Sequence, residues 1–282
     1  MSFIRIIRNT IILGLALALG LGLWAFAIEP SRLTIHPVSL QVPNWTHDQN
    51  GLKIGMLSDL HVGAPYIGLD KLRKIVNTTN AEHPEMVVIL GDFVIQDVVG
   101  GHFVEPEQIA EVLKDLTAPL GVIAVLGNHD YWYSGDRVKN ALVQQGIKVL
   151  TNEAYRIDYK GKPIWIAGIG DLWEGHPDIQ GTLKQIPESD SVILITHNPD
   201  LFPDVPSRVS LTLAGHTHGG QVNLPFYGRK IIPSKYGERF AAGHIVEGGR
   251  HLFVTTGIGT SSLPVRFRVP PEIVILTLSS QD

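Results

Sequence analysis

The sequence contains no cysteine and carries no large excess of either charge. The absence of cysteine excludes disulfide scaffolds, thiolate zinc sites, iron–sulfur clusters and cysteine nucleophiles, but it leaves the compartment open. The 23 Lys and Arg against 27 Asp and Glu give a net charge of −4, which argues against a protein that binds nucleic-acid phosphates. What the chain does have is 12 histidines in 282 residues, a length that fits one large domain or two modest ones.

One long stretch without charge lies near the N-terminus. Residues 9–28 are mostly Ile, Leu, Ala and Gly, and a helix of this length matches the roughly 30 Å hydrocarbon core of a bilayer. Arg5 and Arg8 precede the stretch, so the positive-inside rule predicts that residues 1–8 are cytoplasmic. We therefore expect a single-pass membrane protein whose main domain lies on the outer side.

Two other interpretations of residues 9–28 compete with a membrane anchor. Ala25-Phe26-Ala27 has the form of a signal-peptide cleavage site, but the apolar stretch is longer than the roughly 7–15 residues usual in such peptides, so we favour a retained anchor. A buried core helix is disfavoured because the stretch is not amphipathic. The next residues, 29–50, contain three prolines and are predicted to be a connector with one short strand at 38–42.

Residues 51–282 alternate apolar runs of strand length with segments of helical spacing. We predict strands at 51–57, 86–90, 122–126, 164–167, 192–196, 209–213, 252–256 and 273–278, and helices at 70–80, 105–117 and 136–145. The early alternation of strands and helices predicts parallel strands, and the closely spaced later strands predict antiparallel pairing. Because no repeat or second linker interrupts this region, we expect one α/β domain.

Five of the predicted strands are followed directly by Asp, His or Asn. The sequences at these strand ends are Ser58-Asp59-Leu60-His61, Gly91-Asp92, Gly127-Asn128-His129-Asp130, His197-Asn198 and Gly215-His216-Thr217-His218. Open α/β sheets bind their ligands at the carboxyl ends of the strands. The five strand ends therefore predict one cluster of polar side chains.

The residue types in this cluster are typical of a metal site. Asp59 and His61 are two residues apart, as are His216 and His218, so each pair would project to one side of an extended backbone. Imidazole and carboxylate without sulfur suit first-row divalent metals. Six or seven such ligands exceed the three or four of a single zinc site, so the pattern favours two metal ions.

This ordered set of motifs resembles that of the calcineurin-like metallophosphoesterase superfamily over essentially all of residues 51–280. A narrower likeness is to the membrane-associated bacterial branch, which includes UDP-2,3-diacylglucosamine pyrophosphatases and enzymes of unsettled substrate. The segments that carry it are His197-Asn198-Pro199-Asp200, His218-Gly219-Gly220-Gln221, Gly257-Ile258-Gly259-Thr260, Leu263-Pro264-Val265-Arg266-Phe267 and Pro270-Pro271-Glu272.

The resemblance implies a four-layer α/β/β/α sandwich with a dinuclear metal site at one edge. This α/β domain would follow the N-terminal transmembrane helix predicted from residues 9–28. It implies two ligand sets that share Asp92 as the bridge. These sets are Asp59, His61, Asp92 and His218 for one ion, and Asp92, Asn128, His197 and His216 for the other. His129 would be the catalytic residue that faces the leaving group, and Asp130 would orient it. After Gly91-Asp92, many members of the family complete the motif Gly-Asp-x-x-Asp, whereas the last position here is Ile95. That second Asp is not a metal ligand in the family pattern, so the departure concerns the residues around the ligands and not the ligands themselves.

The implied function is metal-dependent hydrolysis of a phosphoester by a metal-bridging hydroxide. We expect a phosphodiesterase or pyrophosphatase that acts on an envelope or lipid-linked phosphoester with two divalent ions, Mn first and Fe, Zn or Co as alternatives. One alternative is a phosphoprotein or phosphomonoester phosphatase, and another is a non-catalytic metal-binding membrane scaffold.

The remaining expectations concern the substrate pocket, the partners and the location. Candidates for the substrate pocket are Arg266, Arg268, Trp132 and Trp173. We expect no nucleic-acid binding, and the sequence indicates no obligate protein partner. The anchor and the family branch together predict the inner membrane, with the catalytic domain on the periplasmic side.

Overall fold

A computed structural model describes residues 3–281. Outside the described residues lie Met1 and Ser2, the first two of the predicted segment 1–8, and Asp282, the last of the predicted segment 51–282. The described strands are β1 (Thr34–Val42), β2 (Leu52–Leu57), β3 (Met86–Ile89), β4 (Val122–Ala124), β5 (Lys148–Val149), β6 (Glu153–Tyr159), β7 (Lys162–Gly168), β8 (Ser191–Ile195), β9 (Leu211–Ala214), β10 (Gly243–Glu247), β11 (Arg250–Val254) and β12 (Glu272–Ser280). The described α-helices are α1 (Phe3–Leu23), α2 (Glu29–Ser31), α3 (Leu69–Ala81), α4 (Pro106–Leu113), α5 (Asn128–Gln144) and α6 (Ile179–Leu183).

The first sheet has the strand order β1-β12-β2-β3-β4-β5. Strands β2 to β5 are parallel, as the early strand–helix alternation predicts, whereas β12 is antiparallel to β2. All four residues of β3 are apolar and buried, which is typical of a parallel strand covered on both faces. Helices α3 and α4 provide the crossovers that bring the carboxyl ends of β2, β3 and β4 to the same edge.

The second sheet has the strand order β10-β11-β9-β8-β7-β6. Its four inner strands are parallel, and only the edge strands β6 and β10 pair in antiparallel fashion. The prediction of antiparallel pairing among the later strands is therefore correct at the edges and wrong in the middle. Neither edge strand belongs to the predicted set, because their partly exposed residues form no continuous apolar run.

Three apolar layers hold the sheets and helices together. Helices α3 and α5 pack on the outer face of the first sheet through side chains such as Leu72 and Leu142. The two sheets face each other through residues that include Val88 and Ile193. Phe202, in a short 3₁₀ turn, and α6 cover the outer face of the second sheet. This arrangement confirms the predicted four-layer α/β/β/α sandwich.

The N-terminal helix is longer than the predicted span at 9–28. It runs from Phe3 to Ser31, with a π-helical turn at Trp24–Ile28 between α1 and α2. Its most apolar window has a mean hydropathy of 2.5, and none of that window is buried against the rest of the described chain. By length and composition, the helix could cross a membrane.

The segment at 29–50, predicted to be a connector with a strand at 38–42, contains a full edge strand of the first sheet. Strand β1 pairs along all nine of its residues with β12, from Thr34 opposite Glu272 to Val42 opposite Ser280. Pro37 lies within β1, where an edge strand tolerates a residue without an N–H donor. The sheet therefore begins at Thr34, before the predicted domain start at residue 51.

Candidate metal centre

The carboxyl ends of β2, β3, β4, β8 and β9 meet at one edge of the sandwich and carry all seven predicted metal ligands. The residues at this edge are Asp59, His61, Asp92, Asn128, His197, His216 and His218, each no more than 4% exposed. Their donor atoms form two groups, Asp59, His61, Asp92 and His218 in one, and Asp92, His197 and His216 in the other, within 4.8 Å of one another. Asn128 joins the second group, because its Oδ1 lies 3.2 Å from His197 Nε2. The structure thus brings together the residues of the two predicted sets.

Asp92 lies between the two groups. Its Oδ2 is 3.5 Å from His61 Nε2 in the first group and 3.2 Å from His197 Nε2 in the second. Its Oδ1 accepts a hydrogen bond of 3.0 Å from the backbone N–H of His129. One carboxylate therefore reaches both groups, as a bridging ligand requires.

The backbone at the strand ends is left-handed rather than extended. The φ angles are +51° at Asp59, +42° at His61, +57° at Asp92, +69° at His216 and +51° at His218. The expectation that extended backbone projects both members of each pair to one side is therefore wrong about the backbone, although both members of each pair contribute donor atoms to the site. Non-glycine residues in this region cost about 1 kcal/mol or more each, and such strain concentrates at functional sites.

Two glycines permit the close approach of the ligand loops. A Cβ at Gly215 would lie 1.9 Å from Ser58 Oγ and 2.6 Å from Asp59 Oδ2. A Cβ at Gly127 would lie 2.2 Å from Asp92 Oδ1. No side chain fits at either position, so the glycine before each ligand is required by packing.

Burial and opposite charges set the protonation of the cluster. Burial lowers the pKa of His61 and of His216 to about 3 and lowers that of His218 well below its usual value. Burial acts in the same direction on His197, but the carboxylate of Asp92 raises its pKa to about 10. Burial favours a higher pKa for Asp92, but the neighbouring His197 outweighs this effect and holds the pKa of Asp92 well below its usual range. At neutral pH three of the imidazoles are therefore uncharged and carry free lone pairs.

The imidazole nitrogens of the cluster are arranged as ligands of divalent cations would be. His61 Nε2 faces His218 Nε2 at 3.1 Å, and His216 Nδ1 faces His197 Nε2 at the same distance. His216 Nε2 is buried without a hydrogen-bond partner among the described residues. Neutral imidazole nitrogens and carboxylate oxygens at this spacing are suited to divalent metal ions, and no sulfur is present to favour a softer metal.

His129 lies beside the cluster without belonging to either donor group. Its ring meets that of His61 edge-on at 4.8 Å between centroids. It lines a cavity of about 310 Å³ whose wall also includes Asp92, Asn128 and His216. This placement puts His129 next to the space that a substrate would occupy.

The carboxylate of Asp130 makes no hydrogen bond to the imidazole of His129 among the described residues, so the hydrogen bonds do not support the predicted orienting role. Its Oδ2 accepts hydrogen bonds of 2.9 Å from the backbone N–H groups of Asp92 and Gly127. Its Oδ1 accepts from Phe93 at 2.8 Å and from Val94 at 3.3 Å. As the third residue of α5, Asp130 points back over the helix start, so its carboxylate fixes the loop that presents Asp92.

Trp132 and Trp173 form one wall of the same cavity. Their rings stack 5.9 Å apart with an angle of 15° between planes, and Trp173 meets His216 edge-on at 4.7 Å. The loop of Trp173 is held by Asp171, whose Oδ2 accepts from the N–H of Trp173 at 2.8 Å. Asp171 was not among the predicted residues, yet it follows the carboxyl end of β7 as the ligands follow their strands, and that position is the signal for it.

Neither of the two predicted substrate arginines lines the 310 Å³ cavity. Arg266 is fully buried, and its guanidinium donates to the carbonyl oxygens of Thr256, Gly259 and Val269. With its donors directed at backbone carbonyls, Arg266 is a packing element of the loop and not a substrate contact. Arg268 is exposed and does not line the 310 Å³ cavity.

Comparison with known proteins agrees with the geometry. The calcineurin-like phosphoesterase family model matches residues 52–220. The chain is 34% identical over 264 residues to the uncharacterized metallophosphoesterase YkuE of Bacillus subtilis, covering 92% of this chain and 90% of that protein. It is 30% identical over 235 residues to the phosphodiesterase YaeI of Escherichia coli, covering 80% and 82%.

A third relative, from Danio rerio, is named a transmembrane protein with metallophosphoesterase domain. It is 30% identical over 267 residues, which cover 89% of this chain and 58% of that protein. With the Asp and His clusters at its strand ends, the chain belongs to the calcineurin-like phosphoesterase family and is a metal-dependent phosphoester hydrolase.

Proposed function

We propose that this protein is a phosphodiesterase or pyrophosphatase with two divalent metal ions, which hydrolyses an envelope or lipid-linked phosphoester. The observation that carries the proposal is the position of Asp92, which reaches both donor groups while its other oxygen holds the backbone of His129. One ion would be held by Asp59, His61, Asp92 and His218, and the other by Asp92, Asn128, His197 and His216. When bound, the two ions supply charge neutralisation at the phosphoryl oxygens and a water of lowered pKa. Manganese is the first candidate for this donor set, with Fe, Zn or Co next.

His129 is the residue proposed to protonate the leaving oxygen. It borders the 310 Å³ cavity on the side where the ring of Trp132 lies 4.9 Å from its own. The backbone N–H of His129 donates to Asp92, so the main chain of His129 is fixed relative to the donor groups. General acid catalysis from such a position contributes about 10²–10⁴-fold where the leaving group needs a proton.

The N-terminal helix supports a proposal for the location of the protein. We propose a single pass through the inner membrane, with Arg5 and Arg8 on the cytoplasmic side and the catalytic domain on the periplasmic side. Retention of the helix is supported by its contacts with the domain, because the carbonyl of Ala25 accepts from Arg266 N at 2.9 Å. Buried Glu29 accepts from Val269 N at 2.6 Å in addition. A membrane-bound enzyme of this kind has its substrate concentrated in two dimensions.

The test compares two phosphodiesters that differ only in the leaving group. We expect His129→Asn to retain its bound metal and to lose about 10²–10⁴-fold in kcat on an alkyl phosphodiester. The loss should be far smaller on a p-nitrophenyl phosphodiester, since p-nitrophenolate departs without a proton. His197→Asn is the control, because loss of a metal ligand should lower both rates together with the metal content.

Equal losses on both esters with metal retained would refute the role of His129 as an acid. Faster hydrolysis of phosphomonoesters or phosphoproteins than of any diester would favour the phosphatase alternative. Metal binding without hydrolysis of any phosphoester would favour the alternative of a non-catalytic metal-binding scaffold.

A further inference from the structure

A second cavity, of about 610 Å³, lies beside the candidate metal centre. Most of the side chains that surround it are apolar. The lining residues used below are Phe26, Val222, Ile231, Leu263 and Val265, with Lys230 as the cationic group. A cavity of this size is within the roughly 300–1,000 Å³ of small-molecule sites, and its lining favours an apolar ligand.

This apolar cavity adjoins the cavity of the candidate metal centre. His218, a member of the first donor group, lines both this cavity and the 310 Å³ cavity that contains Asp92 and His129. Pro233 and Ser262 also line both. A molecule could therefore place a polar group at the donor cluster and an apolar group in the larger cavity at the same time.

The other end of the apolar cavity lies at the base of the N-terminal helix. Phe26, in the π-helical turn of that helix, is part of the cavity wall. The turn is fixed to the domain, since the carbonyl of Phe26 accepts from Tyr66 Oη at 2.8 Å and that of Ala25 accepts from Arg266 N at 2.9 Å. The cavity therefore lies where the helix meets the domain, which is where a membrane surface would be.

The loop beside this end exposes large apolar side chains. Phe226 is fully exposed, Ile231 is 84% exposed and Tyr227 is 69% exposed. Aromatic residues with a nearby lysine are typical of protein segments at a membrane interface, and Lys230 follows in the same loop. Exposed apolar groups of this size at the base of an apolar helix indicate contact with lipid.

We propose that the apolar cavity binds an acyl chain of a bilayer lipid while the phosphoester of that lipid lies at the candidate metal centre. The proposal rests on the proposed phosphoesterase function and names its substrate class, a phosphoester that carries a hydrocarbon chain. The cavity wall includes both Phe26 at the helix base and His218 of the donor cluster, and this position favours a membrane lipid over a peptide segment or a second copy of the chain. Lys230, in the wall of the cavity, would supply positive charge for an anionic headgroup.

The experiment measures how hydrolysis depends on chain length. The full chain in lipid nanodiscs would be assayed with p-nitrophenyl phosphodiesters that carry an ethyl, butyl, hexyl or octyl group. Burial of each methylene is worth about 0.8 kcal/mol, so kcat/KM should rise toward about fourfold per added methylene. Partition of the substrates into the nanodisc adds to this slope equally in every variant, so the comparison between variants isolates the cavity.

Leu263→Asp is the test variant and Val246→Asp the matched control. Leu263 is 49% exposed and lines the cavity, whereas Val246 is 52% exposed and lies on strand β10 outside the cavity. We expect Leu263→Asp to hydrolyse the ethyl ester at the wild-type rate and to fall progressively behind wild type as the chain lengthens. Val246→Asp should follow wild type throughout. Val265→Phe, which fills the cavity without adding charge, should reproduce the loss.

A chain-length slope that is the same in wild type, Leu263→Asp and Val265→Phe would overturn the acyl-chain site. Failure of the wild-type protein to hydrolyse any of the four esters would instead overturn the proposed function on which the site rests. The two failures are therefore distinguished by whether the wild-type protein has activity on the series at all.

Discussion

Asp130 offers the sharpest test of how the site is held together. Each of its two oxygens accepts two backbone N–H bonds, so replacement by Asn turns one oxygen into an amide donor that faces two other donors. Either orientation of the amide leaves two buried N–H groups without an acceptor, at about 1–3 kcal/mol each. Asp130→Asn should therefore lose about 2–6 kcal/mol of unfolding free energy.

That loss corresponds to a decrease in Tm of about 4–24 °C at roughly 2–4 °C per kcal/mol for a domain of this size. Metal content should fall as well, because the N–H of Asp92 is one of the four donors. Both are measurable on the purified full chain, by thermal unfolding and by elemental analysis. Asp136→Asn, an exposed position on the same helix, is the control and should change neither quantity.

A different result would restore the predicted role of Asp130. If Asp130→Asn kept its Tm and its metal while losing activity selectively on alkyl phosphodiesters, as expected for His129→Asn, then Asp130 would act through His129. The hydrogen bonds to the loop of Asp92 would then be of little energetic consequence.

Three further predictions follow from the same structure. Chelator treatment should abolish hydrolysis and Mn²⁺ should restore it better than Mg²⁺, and full activity of protein shown by elemental analysis to lack metal would contradict the two-metal proposal. Asp92→Asn should lower metal content more than Asp59→Asn, because only Asp92 reaches both donor groups, and equal metal content in the two variants would argue against a bridge. Arg266→Met should lower Tm by leaving buried carbonyls without donors while Arg268→Met should not, and a Tm unchanged in both would show that the buried guanidinium contributes nothing to stability.

The sequence predicts the interior of the fold better than its edges. Strands such as β3 are continuous apolar runs because both faces are buried, and this pattern is visible without a structure. Strand β1 contains Pro37 and partly exposed residues, and its pairing with β12 depends on residues far away in the sequence. In a single sequence an edge strand therefore looks like a loop, because its strand conformation depends on pairing with a neighbouring strand.

The candidate site shows the same division. The clustering of the predicted ligands could be inferred because each follows an apolar strand, so a local pattern also fixes their place in space. The positions of Arg266 and Asp130 were not, because both bind backbone groups whose arrangement is set by the folded loops. A buried arginine that binds carbonyls and an exposed arginine that binds a substrate have the same appearance in a sequence.

The pairing of β1 with β12 also determines when the domain can finish folding. Strand β12 is inserted between β1 and β2, so the first sheet lacks one of its inner strands until the last described strand has been synthesised. The nascent chain must keep Thr34–Val42, which emerges directly after the apolar helix, unpaired while more than 200 residues follow. Contacts of such long sequence separation slow folding. Loss of Glu272–Ser280 would leave β1 and one edge of β2 unpaired, and unpaired strand edges are open to pairing with other chains.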